Sequence, residues 1–431
     1  MVTHFRRPSL AAPAALPLAC ILTACAPSSK SESEVYAATA RPISLVSPTD
    51  VVAQLDELRA YVDNLYDISD SVAVVRHEDM TYDCLPIERQ PTAVALGLSR
   101  KHLLEMRDRA EELSAGLQAE AGSEGTAAES AGQARAGRLS EPCPEGTVPF
   151  ERWTDEQLRA FGSLDNFLGA PTPPEPAPSG SDRRWVTTHD DGIFHGTRAN
   201  FNIWNLEVDR YNDFSLSQFW LINDEDGFSD LEAIEFGVQE APWRTSFHTP
   251  RIFIFWRHNF DEGGCYNNNC PGFVKTDPGF AFSASLSAFH SVTNGSQFSI
   301  ALRTHHELDN SKWWLACDNE VFGYYPDSLF DDLEDGSTYI EYGGEVYSNI
   351  ASGWTTTNMG SGAFPSAGFG EAMYIRKIRH RGVSTWNDAE HESVSATDSD
   401  CYDIETFSSG DPEWATNIFM GGEGEEASGC P

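Results

Sequence analysis

The sequence predicts an all-β domain, an antiparallel β-sandwich of jelly-roll type, behind a smaller and mostly helical N-terminal region. Beyond Trp185, short runs of aromatic and β-branched residues alternate with Gly, Asn and Asp clusters, the pattern of closely spaced antiparallel strands. Upstream, Val51, Leu55, Leu58, Val62 and Leu65 recur at spacings of three and four, which is helical. A Pro-rich stretch, 169–184, separates the two and reads as an extended linker. With 25 Phe, 13 Tyr and 11 Trp the chain can fill a sizeable core, which excludes wholesale disorder.

Element by element, Arg6 and Arg7 precede an apolar stretch, Leu10 to Ala24, too short to span a bilayer; residues 1–24 read as a signal peptide. Leu22-Thr23-Ala24-Cys25 resembles the bacterial lipobox, so Cys25 is the expected lipidation site and 25–47 a tether. The expected location is the cell envelope, as an exported lipoprotein released outside after processing. A plain secretory signal with a chance cysteine is the alternative. Residues 48–168 form the helical region, with a second helix near Leu103 to Leu117. Its Ala/Gly/Ser/Glu-rich insertion, about 119–140, is expected to be a flexible loop. Thr154 to Gln157 has the spacing of a capping box. Strands are expected at Phe214–Ile222, Ala233–Gln239, Arg251–Trp256, Gln297–Thr304, Lys312–Cys317, Tyr339–Tyr347 and Ala372–Ile378. The β domain spans 185–381, and 382–431 reads as an acidic extension.

The 66 acidic residues against 29 basic ones give a net charge of −37. That excludes nucleic-acid partners and leaves the lipid anchor as the one membrane contact. It suits an acidic or salty medium. Setting aside Cys20 and Cys25, seven cysteines remain, and export makes disulfides the default. The candidates are Cys265 with Cys270 in a turn-rich loop, Cys84 with Cys143, and Cys401 with Cys430, leaving Cys317 as the odd thiol.

Two strands share an unusual design. Alternation puts Glu235, Gly237 and Gln239 on one face of the first, and Glu341, Gly343 and Glu345 on one face of the second. A glycine beside a carboxylate lets a ligand backbone approach closely. Two such strands facing one open cleft would offer paired carboxylates able to share a proton. The plain alternative is a solvated sheet face.

The motif series then narrows the reading. Phe214-Ser-Leu-Ser-Gln-Phe-Trp220, Ile234-Glu-Phe-Gly-Val-Gln239, Gly264-Cys-Tyr-Asn-Asn-Asn-Cys-Pro-Gly-Phe-Val274 and Gly295-Ser-Gln297 occur in order. Trp313-Trp-Leu315, Gly323-Tyr-Tyr-Pro326, Glu341-Tyr-Gly-Gly-Glu-Val346, Met359-Gly-Ser-Gly-Ala-Phe-Pro365 and Gly368-Phe-Gly370 follow. Together they resemble the neprosin family of glutamic, proline-cleaving peptidases. Tyr82-Asp-Cys-Leu-Pro-Ile-Glu-Arg-Gln-Pro91 resembles the signature of that family's N-terminal propeptide, here in a divergent form. The resemblance implies Glu235 and Glu345 as the catalytic pair, with Glu341 the rival for the second place. No cofactor and no metal are expected, since no zinc-peptidase or Cys-x-x-Cys spacing occurs.

Gln218 and Gln239 are candidates for holding an oxyanion or water, and Trp220, Trp256, Tyr325 and Tyr342 for a proline pocket; sheet hydrogen bonds and core packing are the plain readings. The expected activity is hydrolysis after proline by a water held between the two carboxylates, best in acid. Proline-containing peptides or proteins are the expected partners, with the chain's own prosegment as inhibitor. A cut in the Pro-rich linker would free the domain. His189-Asp190-Asp191 with His195, and His305-His306-Glu307, lack the spacing of a zinc peptidase and read as solvated loops. A carbohydrate-active sandwich and a non-catalytic surface-binding module are the rival readings.

Overall fold

A computed structural model describes residues 48–123, 136–169, 183–224, 231–245, 248–258, 264–348, 350 and 353–430. The signal stretch, Cys20, Cys25, the tether, and most of both the Ala/Gly-rich insertion and the Pro-rich linker lie outside the described residues.

In the N-terminal region the helices are α1 (Pro48–Leu65), α2 (Pro91–Ala95), α3 (Arg100–Ser123), α4 (Asp155–Phe161) and α5 (Leu164–Leu168). Thr154 caps α4 through the expected box, its hydroxyl accepting from the Gln157 N–H while the Gln157 side chain accepts from the Thr154 N–H. A three-stranded sheet, β1 (Ala73–His77), β2 (Met80–Pro86) and β3 (Thr147–Glu151), was not expected from the sequence.

The sandwich has two antiparallel sheets. The first contains β4 (Arg183–Phe194), β6 (Phe214–Asn223), β7 (Glu232–Glu240), β8 (Arg251–Arg257), β9 (Gly264–Tyr266), β14 (Ser337–Tyr347) and β17 (Ser393–Ala396), in the order β17-β4-β14-β6-β7-β8-β9. The second contains β5 (Gly196–Asn202), β10 (Val274–Lys275), β11 (Ser299–Glu307), β12 (Lys312–Cys317), β13 (Glu320–Pro326), β15 (Met373–Arg381), β16 (Trp386–Asp388), β18 (Asp403–Ser408) and β19 (Thr416–Gly421). Its order is β10-β13-β12-β11-β5-β15-β19-β18, with β16 on β15. The stretch after Arg381 is therefore no mere extension. Its short strands close one edge of the first sheet and extend the second.

Period-two alternation builds the core between the sheets. Phe219, Leu221, Ile234, Phe236, Ile254, Ile340 and Val346 of the first sheet meet Phe201, Ile300, Leu302, Trp313, Phe322 and Ile375 of the second. Each fully buried side chain of this kind contributes about 1.5–3 kcal/mol. The outer faces are not left to water. Leu58 and Val62 of α1, Leu158 and Phe161 of α4, and Phe167 of α5 pack on Phe214, Leu216, Phe253, Phe255 and Tyr347 of the first sheet. On the far side, Leu103 and Ala110 of α3 pack on Trp314, Ala316, Val321 and Tyr324 of the second. The N-terminal region thus grips the sandwich on both outer faces.

The three expected cysteine pairs are disulfides: Cys84–Cys143, Cys265–Cys270 and Cys401–Cys430. Cys317 is free and buried. The histidine clusters are not solvated loops, as expected: all but His195, in the bend between β4 and β5, are strand residues, and His189, Asp190, His195 and His306 are buried. His380 pairs with Asp190 at 2.5 Å, and His306 contacts both Asp327 (3.0 Å) and His195 (3.2 Å).

Candidate active site

Glu235 and Glu345 lie on one face of one sheet, with β6 between their strands. The register places Gln218 of β6 opposite Gly237 of β7 on one side and Gly343 of β14 on the other. The next row along holds Glu235, Trp220 and Glu341; the row on the other side holds Gln239, Leu216 and Glu345. A Gly–Gln–Gly row is therefore flanked diagonally by Glu235 and Glu345, and the two strands do not face one another across a cleft. Both glycines are required by close approach. A Cβ on Gly237 would collide with the Ser217 carbonyl and the Gln218 side chain, and one on Gly343 with the Val186 carbonyl. The result is a trough floored by backbone.

Three polar arrangements mark the trough. The Gln218 amide donates to Glu235 Oε2 at 3.1 Å. Glu345 Oε1 accepts from Arg183 Nη1, and the Arg183 guanidinium also lies over the Phe214 and Tyr347 rings at 5.3 and 5.6 Å. Burial pushes the Glu345 carboxyl up to about 7, with Arg183 opposing and the Glu235 charge adding. Glu345 thus carries its proton well above the usual carboxylate range, while Glu235 accepts from an amide. That is the asymmetry acid–base chemistry requires.

The open groove expected from the sequence is absent. Glu235, Glu345, Glu341 and Gln218 are 2%, 2%, 0% and 0% exposed. The helices α1, α4 and α5 of the N-terminal region cover the apolar residues beside the trough, Leu216 in the row of Glu345 and Phe255 opposite Glu235 among them.

Of the four proposed pocket aromatics, Trp220 shares the face of Glu235 and Glu341 and packs with Ile222, Ala233 and Tyr339. Tyr342 does not; its hydroxyl points between the sheets to Thr197 and to His380 Nδ1. Trp256 also belongs to the inter-sheet side, edge-on to Phe330. Tyr325 is in the same core, where burial and the nearby Glu235 charge push its hydroxyl up. Gln239 is on the trough face and donates to the Tyr266 hydroxyl. Sequence reasoning missed Arg183, Arg244 and Tyr266. The signal for Arg183 was its place at the linker's end, two residues before the paired Trp185.

Residues 211–423 match the family model described as Neprosin. This stretch is a neprosin domain. Glu235, Glu341, Glu345 and Gln218 all fall inside it, and it runs beyond Arg381 through β19, in keeping with the strand pairing. Strands β4 and β5, which complete the neprosin domain's two sheets, precede the matched stretch. Among solved structures, the chain is similar to a scytalido-glutamic peptidase with a peptide-based transition-state analogue (10% identity, 56% of this chain and 98% of that one, TM-score 0.30). It is also similar to SCP-B, a member of the eqolisin family of peptidases, in complex with Ala-Ile-His (9%, 56% and 97%, 0.27). A third is a family 16 glycoside hydrolase endo-glucanase from Bacteroides ovatus (8%, 41% and 74%, 0.25). Scores this low carry no argument about chemistry.

The propeptide-like signature has a structural counterpart. Gln90 accepts from the Lys275 N–H (2.8 Å) and donates to the Lys275 carbonyl (3.1 Å). Thr92 Oγ1 accepts from the Gly272 N–H (2.9 Å) and donates to the Phe273 carbonyl (2.8 Å). Glu151 accepts from Asn268 and Ser283, and Lys275 Nζ donates to the Pro149 carbonyl. The N-terminal region is thus bonded along residues 268–283, from within the Cys265–Cys270 turn onward.

Proposed function

We propose that the chain is a glutamic peptidase held closed by its own N-terminal region, and that it hydrolyses bonds after proline in acid. The observation that carries this is the neprosin domain itself, with its two carboxylates set around a backbone-floored trough on one sheet face. In the proposed reaction the trough receives an extended peptide. Glu235, ionised and oriented by the Gln218 amide, removes a proton from the attacking water. Glu345, protonated below about 7, supports the oxyanion and then protonates the leaving nitrogen. Activity falls as pH rises through the Glu345 value, because the acid is lost.

The buried state of both carboxylates supports a zymogen: the helices on the trough must leave before substrate enters. Cutting within 170–182, where Pro171, Pro173, Pro174, Pro176 and Pro178 lie, is the proposed trigger. Export and a Cys25 anchor are part of the same proposal. The deciding experiment digests a defined peptide mixture at pH 4 and pH 7 with acid-incubated chain and maps the cut bonds. Cuts after proline that vanish in both Glu235→Gln and Glu345→Gln support the reading; undiminished hydrolysis by either variant sinks it.

A further inference from the structure

Resting on that peptidase reading, we propose that Arg244 is a substrate-binding residue: once the N-terminal region leaves, its guanidinium forms a subsite, at the end of the trough, for a carboxylate carried by the peptide.

Arg244 sits in α6 (Pro242–Thr245), just past the end of β7, and is 2% exposed. Its guanidinium lies over the Tyr266 ring at 3.8 Å and the Trp243 ring at 4.5 Å. Nη2 donates to the carbonyls of Gly169 (2.9 Å) and Asn166 (3.4 Å), while Nε and Nη1 donate to nothing among the described residues. No described carboxylate pairs with it. Two other buried arginines near this face differ: Arg183 holds Glu345 and Arg251 pairs with Asp79. A buried guanidinium left half-satisfied and without a counter-ion is costly and calls for an explanation, which a ligand carrying the opposite charge supplies. Burial lowers it only to about 10, so it stays cationic at any working pH.

Position ties this group to the trough. Gln239, in the row of Glu345, bonds Tyr266, and Tyr266 carries Arg244. Gln239 is about 7 Å along the strand from Gly237. Arg244 lies beyond that, so an extended peptide laid parallel to β7, across the glycine row, would reach it two to three residues from the bond being cut. In the closed chain that place is held by Asn166 and Gly169, the last residues before 170–182, so peptide carbonyls already lie against it. Once Asn166 and Gly169 leave, Nη2 together with either unmatched nitrogen, Nε or Nη1, forms a planar fork that fits a carboxylate bidentately.

The carboxylate has two sources, an internal Asp or Glu and the free C-terminus, and the test separates them. Acid-incubated full chain is assayed at pH 5.5 on proline peptides carrying Glu or Gln two to three residues to either side, each as free acid and as amide. Wild type should favour one internal Glu position, or the free acid, by about tenfold in kcat/KM. Arg244→Gln should bring that ratio within about twofold of unity, and Arg244→Lys should leave it in between. A folding defect would slow both peptides alike and spare the ratio. If Arg244→Gln does not fold, the fall in Arg244→Lys decides. A wild-type ratio near one, or a ratio unchanged in the variants, overturns the subsite alone. If wild type cuts no peptide, the peptidase reading falls and takes the subsite with it.

Discussion

Replacing Arg183 with Met should weaken the fold in a way that grows with pH. The Arg183 and Glu345 side chains are only 10% and 3% exposed, so the pair is a buried one. With Arg183 in place the Glu345 carboxyl sits near 7, against about 4.3 in the unfolded chain. A carboxyl raised on folding costs nothing below its unfolded value. Its cost then grows with pH and levels off above the folded value, here at about 3–4 kcal/mol. Without Arg183 the folded value rises further, so the cost keeps growing above pH 7, by up to about 1.4 kcal/mol per pH unit. The variant should therefore show a fixed loss of about 1–2 kcal/mol at pH 5, from the contacts with Phe214 and Tyr347. By pH 8.5 a further loss of about 2 kcal/mol should appear. Urea unfolding followed by tryptophan fluorescence at pH 5, 7 and 8.5, at fixed ionic strength, measures both parts. A gap that is the same at pH 5 and 8.5 refutes the pairing argument, and Arg183→Met with Glu345→Gln should lose the pH-dependent part.

Glu341→Gln tests the second carboxylate. It should retain most of the turnover that Glu345→Gln abolishes, with peptide cleavage as the readout, and the reverse result exchanges their roles. Glu240 is 1% exposed and burial pushes it up to about 8, so it too costs stability as pH rises from about 4.5 to 8. Glu240→Gln should stabilise the chain at pH 8.5 by up to about 4 kcal/mol and leave it unchanged at pH 4, by denaturant midpoints. Replacing both Gln90 and Thr92 with Ala removes four hydrogen bonds to residues 272–275. The pair should speed acid activation several-fold; an unchanged lag would mean that these bonds do not limit release.

The sandwich could be read because its strands obey their period. Lys312–Cys317 was expected residue for residue, and Phe214–Ile222 stops one residue short of the observed strand. The tail was misread because Ser393–Ala396 and Asp403–Ser408 are short, polar strands at sheet edges, where no two-sided burial imposes a pattern. The trough residues followed from alternation, and so did an error. Tyr342 is one residue from Glu341, so the same alternation had already placed it on the opposite face. The closure over Glu235 and Glu345 could not be read, because nothing local in α1, α4 or α5 names the surface their apolar sides will meet. Arg244 was invisible for the same reason: its meaning depends on Tyr266 and Gly169, distant in the chain.

None of the three disulfides crosses residues 170–182. Cys84–Cys143 lies wholly before that stretch, and the other two lie wholly after it. A chain severed there would become two molecules, and the covering segment would turn from a tethered lid into a reversible competitive ligand. Its occupancy would then follow mass action: crowded enzyme would stay silent, and enzyme diffusing away from its source would switch on by dilution alone.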